Sequence, residues 1–370
     1  MPVSPPDQGA ADLAACRAML RHGSRSFYAA SLLLPRRVRD RATALYAFCR
    51  LADDTADDHG AAAGGRREAL TRLRQRLDSI YLARPAKFAA DRALARVVHD
   101  LGVPQLLFEA LIDGLEWDLD GRRYDDLDDL LPYAVRVAGA VGAMMALVMQ
   151  ARDPRALACA CDLGIAMQLT NIARDVGEDA RAGRLYLPRQ WLAAEGIDAE
   201  EFLRRPVFDV RVARVVRRLL DVADEFYRLA EPGIALLPLA CQPGIRSARS
   251  IYAAIGHEIA RNGHDSVSRR AVVSTRRKLV LLARAFAGTA SAWPNKAVAQ
   301  TLNDTTPAAR FLVAAASSDP EMAPPAPPRL RPGRLIWLLD LFERLERAER
   351  AQREASEDLA SLWAGGDLVR

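Results

Sequence analysis

The sequence has little of what β-sheets are built from. Aromatic residues make up only 6% of its 370 residues, and β-branched runs of alternating polarity are scarce. Ala, Leu and Arg, which favour helices, are abundant. Half of the residues are apolar, enough to bury one large core, although the length alone would also allow two domains. Because neither repeats nor a strand series appear, the sequence predicts an all-α fold with a single large helical bundle.

Cysteine is also sparse, and its distribution excludes two classes of protein. The five cysteines are odd in number and scattered, and they form neither a disulfide framework nor a CxxC zinc pair. None of the five histidines lies at metal-ligand spacing from another histidine or a cysteine, which disfavours zinc. The first ten residues lack the order of a signal peptide. We therefore expect a protein of the reducing cytoplasm.

Three further absences narrow the function. The longest apolar run, residues 137–149, is too short to span a bilayer and predicts a buried helix. No Gly-rich dinucleotide loop is present, so we expect no NADPH. The net charge is +5, but basic residues alternate with acidic ones and no recognition motif occurs. We expect no nucleic-acid partner.

Two short acidic clusters stand out, residues 53–58 and 175–179, each at the end of an apolar helical stretch. Aspartates at i and i+4 project from one side of a helix, so each cluster offers two carboxylates about 6 Å apart. That spacing suits hard divalent cations. Two such helices facing each other would form a metal-binding mouth, whereas the alternative is a pair of solvated helix ends.

The residues around the first cluster form a polar face. At about 100° per residue, Tyr46, Arg50, Asp53 and Asp57 fall within an arc of about 60°. A phenol, a guanidinium and two carboxylates aligned beside an apolar stripe are unusual on a surface helix. This face is predicted to be the wall of a site.

The second cluster repeats the pattern. Gln168, Asn171, Asp175 and Asp179 share an arc of about 80°. The two amides could hydrogen-bond phosphate or metal-bound water, and the alternative is a role in helix packing. The presence of both faces together favours a site over two solvated ends.

Small residues dominate positions 138–146. They leave room beside the backbone, which would suit a deep groove for a long hydrocarbon. Close packing between helices is the other interpretation.

Five motifs in order carry a resemblance to a known family. They are His-Gly-Ser-Arg-Ser-Phe at 22–27, Tyr-Ala-Phe-Cys-Arg with the acidic cluster at 46–57, Arg-Val-Ala-Gly-Ala-Val-Gly at 136–142, the amide and acidic stretch at 168–179, and Gly-Arg-Leu-Tyr-Leu-Pro at 183–188. From about residue 16 to about residue 293 the chain resembles the head-to-head prenyl synthases, which include the squalene, dehydrosqualene and phytoene synthases. Within the family it is most similar to bacterial members that form phytoene.

The resemblance implies an isoprenoid-synthase bundle with a central active-site cavity. Two molecules of geranylgeranyl diphosphate would be joined through a cyclopropyl diphosphate to give 15-cis-phytoene, the first committed step of carotenoid biosynthesis. It implies Mg²⁺ or Mn²⁺ held by Asp53, Asp57, Asn171, Asp175 and Asp179. These four aspartates, together with Arg50 and Tyr46, would be the catalytic residues.

The resemblance also implies a set of substrate-binding residues. Hydroxyl, guanidinium and amide groups would contact diphosphate, phenols would orient phosphate or face a cation, and small or apolar residues would line the hydrocarbon tunnel. The set is Ser24, Arg25, Ser26, Phe27, Tyr133, Val137, Ala138, Val141, Gly142, Gln168, Asn171, Arg174, Tyr252 and Arg269. Because Arg174 lies off the carboxylate face, Arg50 is the stronger candidate.

Two rival functions remain open. One is a squalene, dehydrosqualene or hydroxysqualene synthase that uses farnesyl diphosphate, since the aspartates serve the same first step. The other is a non-catalytic helical scaffold, against which the intact aspartates argue.

Composition divides the chain after Trp293. We expect an α-helical synthase domain at 1–295, a Pro-rich linker at 296–333 and an amphipathic C-terminal helix and tail at 334–370. The apolar stripe at 335–345 could bind a partner such as a downstream carotenoid enzyme, a second copy, the bundle itself or the inner face of the membrane. The expected location is therefore cytoplasmic, with peripheral membrane contact as one option.

Overall fold

Helices make up all the regular structure in the computed structural model, which describes residues 6–23, 25–56, 63–291 and 305–318. The all-α prediction is confirmed. The α-helices in chain order are α1 Pro6–Gly23, α2 Arg25–Ser31, α3 Arg36–Ala56, α4 Ala63–Tyr81, α5 Ala89–Leu101, α6 Gln105–Leu119, α7 Leu127–Ala134, α8 Ala140–Val148, α9 Pro154–Arg181, α10 Arg189–Ala194, α11 Ala199–Arg204, α12 Val210–Ile234, α13 Gln242–Arg261, α14 Thr275–Ser291 and α15 Arg310–Ser317.

Helix α9 is the centre of the bundle. Its start is encoded locally, because Asp153 caps the first turn by accepting from the Arg155 amide, and Pro154 occupies the first helical position. Over its 28 residues α9 packs against α7, α8, α11, α12, α13 and α15. The second acidic cluster lies near its C-terminal end, so the fold places those carboxylates on the central helix.

Glycines allow the helices around α9 to approach closely. A side chain at Gly142 would clash with the Ala160 backbone, and one at Gly164 would clash with the Ala138 carbonyl. For Gly142, predicted to line the hydrocarbon tunnel, the structure therefore favours the packing interpretation. The missing side chain lets α8 meet α9 backbone to backbone.

A π-helical turn, Val135–Gly139, joins α7 to α8. The sequence predicts one uninterrupted helix over 126–150, whereas the structure inserts this five-residue turn. Such turns widen a helix locally and are frequent at functional sites. Val137 and Ala138 lie within it and are partly accessible.

Two helical stretches, Leu127–Val148 and Pro154–Arg181, have the length and apolar composition needed to cross a membrane. In this structure 61% and 72% of their most apolar windows are buried within the protein. Both stretches are thus core helices of the bundle, as expected for residues 137–149.

The predicted Pro-rich linker is wrong for residues 305–318. That segment forms a 3₁₀ turn, Pro307–Ala309, and helix α15, which packs against α6, α8 and α9. Leu312 is fully buried, and Thr306 Oγ1 donates to Asp162 Oδ1 at 2.7 Å. The synthase bundle therefore includes a strap beyond residue 295. The tail at 334–370 lies outside the described residues.

Candidate active site

Helix α3 supplies the first wall of the site. Arg50 lies 3.3 Å from the Asp53 carboxylate and 2.6 Å from that of Asp54. Tyr46, one turn earlier, stacks on Phe27 of α2 with ring centroids 5.4 Å apart. The predicted polar face is thus present, with the guanidinium between the phenol and the carboxylates.

The motif at residues 22–27 reaches this wall through a glycine. A side chain at Gly23 would clash with the Tyr46 hydroxyl, so glycine lets the end of α1 approach Tyr46 without displacing it. Arg25 and Ser26 are the first two residues of α2. Ser24 and Asp57 lie outside the described residues, and their predicted roles stay predictions.

Helix α9 supplies the second wall. Asp175 accepts hydrogen bonds from two arginines: Nε of Arg174 at 2.8 Å and Nε of Arg270 at 2.7 Å. Its side chain is only 16% exposed. Burial raises its pKa, but the hydrogen bonds from the two arginines outweigh burial, and the net pKa is lowered. Asp175 is therefore ionised at neutral pH.

Asp179, one turn further along α9, has the opposite electrostatic balance. Burial raises its pKa to about 7, against the lowering effect of Arg184, whose Nη2 lies 3.3 Å from Oδ1. A carboxylate so poorly compensated favours an additional positive charge nearby. A divalent cation would supply it.

Asn171 carries a buried oxygen with no hydrogen-bond partner among the described residues. Its amide nitrogen lies 3.5 Å from the Gln168 side-chain oxygen, which leaves Oδ1 available on the same face as Asp175. Buried side-chain oxygens are rarely left unpaired, so this oxygen is available to accept from water or to coordinate a bound ion. An amide oxygen beside carboxylates is a hard-cation donor set.

Within the part of the chain that the structure describes, no three His, Cys, Asp or Glu side chains gather into a ready-made metal site. Mg²⁺ usually takes one or two protein carboxylates and completes its sphere with water and substrate phosphates. The residues present fit Mg²⁺ bound together with a diphosphate.

Tyr252 of α13 connects the two walls. Burial raises its pKa, and the charges of Arg174 and Asp175 act on it from the α9 side. Tyr252 in turn raises the pKa of Tyr46, which burial, the larger cause, brings to about 12. Both phenols are therefore neutral at pH 7 and lie between the acidic helices.

A third group lies beside Asp179, and the sequence predicts only one of its members, Tyr133, as a site residue. Asp118 at the end of α6 accepts from the Tyr186 hydroxyl at 2.7 Å and from the Tyr133 hydroxyl at 2.9 Å. The two phenol rings stack with centroids 5.1 Å apart. Burial raises the pKa of Tyr133 well above its ordinary value, so it remains a neutral donor. The 183–188 motif contains Tyr186, but nothing in the sequence pairs it with Asp118.

The structure places Arg270, rather than the predicted Arg269, against Asp175 on the acidic face of α9. The Arg269 side chain is 63% exposed and lies 3.6 Å from Asp265. The reason is the loop between α13 and α14, in which Ser266 accepts from the Gly177 amide at 2.9 Å and Val267 accepts from Arg181 at 2.7 Å. These contacts fix the loop on α9 with Arg270 turned towards Asp175.

An apolar stripe continues the second wall along α9. Ala160, Leu163 and Met167 are partly accessible although they lie on the central helix of the bundle. The apolar stripe and the polar wall together form one face of α9, which is about 24 Å long from Leu163 to Asp179 at 1.5 Å per residue. It changes from apolar through amide to acidic, which suits a ligand with a hydrocarbon tail and an anionic head. Val137, Ala138 and Val141 are also partly accessible and remain candidates for contact with a hydrocarbon chain.

An all-α bundle with acidic faces on two helices, and an apolar stripe continuing one of them, defines an isoprenoid synthase. The class matches the expectation from the sequence. The chain belongs to the Squalene/phytoene synthase family, whose sequence pattern matches residues 20–278. The family predicted from the motifs is confirmed.

Several curated relatives of the chain are phytoene synthases. The chain is 58% identical over 280 residues to a phytoene synthase of Cereibacter sphaeroides, covering 74% of this chain and 78% of the relative. It is 52% identical over 273 residues to a phytoene synthase of Rhodobacter capsulatus, covering 74% of this chain and 80% of the relative. A 15-cis-phytoene synthase of a Paracoccus species is 43% identical, with 71% of this chain and 87% of the relative covered.

Solved structures agree on the fold. A dehydrosqualene synthase in complex with ligand superposes with a TM-score of 0.70 at 29% identity, covering 78% of this chain and 100% of the other. A squalene synthase from Alicyclobacillus acidocaldarius gives a TM-score of 0.64 at 25% identity, covering 70% of this chain and 97% of the other.

Proposed function

We propose that the protein joins two molecules of geranylgeranyl diphosphate head to head, releases both diphosphates and gives 15-cis-phytoene. The observation that carries the proposal is the 58% identity to a phytoene synthase over 280 residues. The family pattern matched at residues 20–278 includes both α3 and α9. This identity supports both the head-to-head condensation and the geranylgeranyl length of the substrate. The relatives named for farnesyl-derived products are the structural neighbours, at 29% and 25% identity.

The aspartates and Asn171 would hold the metal. Asp53 on α3, with Asp175, Asp179 and the unpaired Asn171 oxygen on α9, offers hard oxygen donors on two helices. Bound Mg²⁺ would neutralise diphosphate and make it a better leaving group.

Three arginines are arranged to bind phosphate oxygens. Arg50 lies beside Asp53, while Arg174 and Arg270 lie on either side of Asp175. Guanidinium groups match phosphate geometry and can form two parallel hydrogen bonds. Their role is to orient the diphosphate and to stabilise its charge as it leaves.

The aromatic residues protect the allylic cations formed by ionisation. Tyr46 stacked on Phe27, with Tyr252 nearby, presents neutral rings whose faces stabilise positive charge. Because these groups are half-buried or buried, they also exclude water, which would quench a cation to an alcohol. The protein needs no covalent nucleophile for this reaction.

The proposal is tested by diphosphate release from geranylgeranyl diphosphate with and without Mg²⁺. Asp175→Asn or Asp53→Asn should lower turnover by about two orders of magnitude or more while circular dichroism stays unchanged. Asp100→Asn, an exposed aspartate of α5 paired with Arg41, is the matched control and should retain wild-type turnover. Wild-type rates for Asp175→Asn at saturating Mg²⁺ would contradict the metal assignment.

We also propose that the protein is cytoplasmic and contacts the inner face of the membrane peripherally. The support is the amphipathic pattern at 335–345. Downstream carotenoid enzymes are a second candidate partner for that tail. Deleting residues 334–370 and comparing membrane and soluble fractions of cells tests this proposal.

A further inference from the structure

A cavity of about 370 Å³ opens between α1, α2 and α3, outside the active site. Its rim carries Arg17, Arg36 and Arg39, and its floor includes Leu20, Leu32 and Thr43, which are buried. We call it the arginine cleft. Its lining is amphipathic, with guanidinium groups above an apolar base.

Positive charge dominates the arginine cleft. Asp40 lies 2.7 Å from Arg17 and 3.8 Å from Arg36, so one carboxylate faces two guanidinium groups. Arg36 is 81% exposed and can turn towards a ligand. Tyr28 lines the cleft, with the Arg21 guanidinium 5.6 Å from its ring centroid. The cleft therefore suits an anion, and guanidinium groups favour phosphate in particular.

The arginine cleft continues into helix α14. Tyr28 and Leu32 of the cleft belong to a small apolar cluster with Leu279 and Leu282 of α14. The opposite face of α14 carries Arg276, Val280 and Arg284 at intervals of four residues, so all three lie in one row. All three are exposed, Val280 by 51%. The two exposed arginines of α14 thus add positive charge beside the arginine cleft, and basic side chains are attracted to an anionic membrane surface.

We propose that the arginine cleft binds the phosphate of an anionic phospholipid, with the outer row of α14 lying on the same bilayer. A free phosphate or nucleotide would use the arginines but not the exposed valine or the apolar floor. A lipid headgroup uses all three, because its phosphate meets arginine while its glycerol and first methylenes meet leucine.

Helix α2 lies between the arginine cleft and the active site. Tyr28 faces the arginine cleft, while its neighbour Phe27 stacks on Tyr46 in the active site. A membrane held at the cleft would thus lie one helix away from the active-site wall. Lipid binding itself does not depend on the proposed reaction, so the two can fail separately.

The experiment is co-sedimentation of the full-length protein with vesicles of phosphatidylcholine alone or with equal parts of phosphatidylglycerol. Wild type should bind the anionic vesicles. Arg17→Gln with Arg36→Gln, and separately Arg276→Gln with Arg284→Gln, should each weaken binding about 30-fold, from about fivefold per arginine at an anionic surface. Arg67→Gln with Arg72→Gln on α4 removes the same charge from two other salt-bridged surface arginines and should change binding less than threefold.

Turnover in detergent separates this proposal from the catalytic one, because the cleft variants should keep it unchanged. Inorganic phosphate at millimolar concentration should not displace wild type from the vesicles. The proposal is overturned if wild type ignores anionic vesicles, if the control variant loses as much binding as the cleft variant, or if phosphate alone occupies the cleft. It is also overturned if only deletion of residues 334–370 abolishes vesicle binding.

Discussion

Arg270 and Asp175 form a two-point ion pair across 95 positions of sequence, with Nε–Oδ1 at 2.7 Å and Nη2–Oδ2 at 3.1 Å. The arginine belongs to the loop after α13 and the aspartate to the candidate metal-binding face of α9. This pair connects that loop directly to the candidate diphosphate site. Its neighbour Arg269 points to Asp265 instead.

That contrast makes a matched test of the phosphate-binding role. Arg270→Gln should lower kcat/KM for geranylgeranyl diphosphate about a hundredfold, because it removes a charged donor from the diphosphate site. Arg269→Gln should stay within threefold of wild type. Steady-state kinetics of both variants measures the difference, and equal losses would show that the loop rather than the guanidinium matters.

Asp118 should act as a positioning residue for Tyr133 and Tyr186. Asp118→Asn keeps the side-chain volume but weakens the hydrogen bonds that Asp118 accepts from the two tyrosines. We therefore expect a stability loss of about 1–3 kcal/mol and a lower kcat. Tyr186→Phe should lower kcat as well, and the double variant should lose less than the sum, because both changes break one network. Fully additive losses in kcat, measured with chemical denaturation as the stability control, would contradict the positioning role.

The polar face of α3 follows from helical periodicity, because Tyr46, Arg50 and Asp53 had to share one side of a regular helix. The periodicity does not determine where a long, flexible side chain ends. Arg174 lies off that face by its Cβ direction, yet its long side chain returns to its neighbour Asp175. Arg270 could not be chosen over Arg269 without the loop conformation, since adjacent residues outside a helix have no fixed phase.

Helix α15 could not be predicted from the sequence for a different reason. Its eight residues lie close to many prolines, and short helices are stabilised by tertiary contacts rather than by propensity. Contacts such as Thr306 with Asp162 and Leu312 beside Gly139 join residues more than 140 positions apart. Composition carries no record of such contacts.

Truncation tests the strap. A protein ending at residue 318 should keep the thermal stability and turnover of wild type, because every candidate site residue precedes it. One ending at 304 should lose about 3–5 kcal/mol or fail to fold, because burial of Leu312 and Val313 is lost.

Leu312→Ala in the full chain is the milder variant and should cost about 2–5 kcal/mol. Differential scanning calorimetry measures all three proteins. Unchanged stability for Leu312→Ala would show that α15 contributes nothing to the bundle.

Asp162 should make stability depend on pH. Burial raises its pKa to about 6, partly offset by the Thr306 hydrogen bond, from an ordinary value of 3.8. Since the folded state favours the protonated form, this stabilisation is complete below the unfolded pKa and disappears as pH rises through about 6. Asp162→Asn should therefore gain up to about 3 kcal/mol relative to wild type between pH 4 and pH 7.

Asp153 provides a control of opposite sign. A hydrogen bond from Arg155 is the main cause of its lowered pKa, so its stabilisation is present above the unfolded pKa and disappears in acid. The stability cost of Asp153→Asn should shrink as the solution is acidified. Thermal unfolding at several pH values distinguishes the two aspartates, and identical pH profiles for both variants would contradict the assignment.

The most direct test of the account is the mass of the product. Purified protein is given geranylgeranyl or farnesyl diphosphate with Mg²⁺, with and without NADPH, and the hydrocarbons are analysed by mass spectrometry. A phytoene synthase should form a forty-carbon product from geranylgeranyl diphosphate, with a mass that does not change when NADPH is added. A thirty-carbon product made preferentially from farnesyl diphosphate, or a mass that shifts with NADPH, would contradict it.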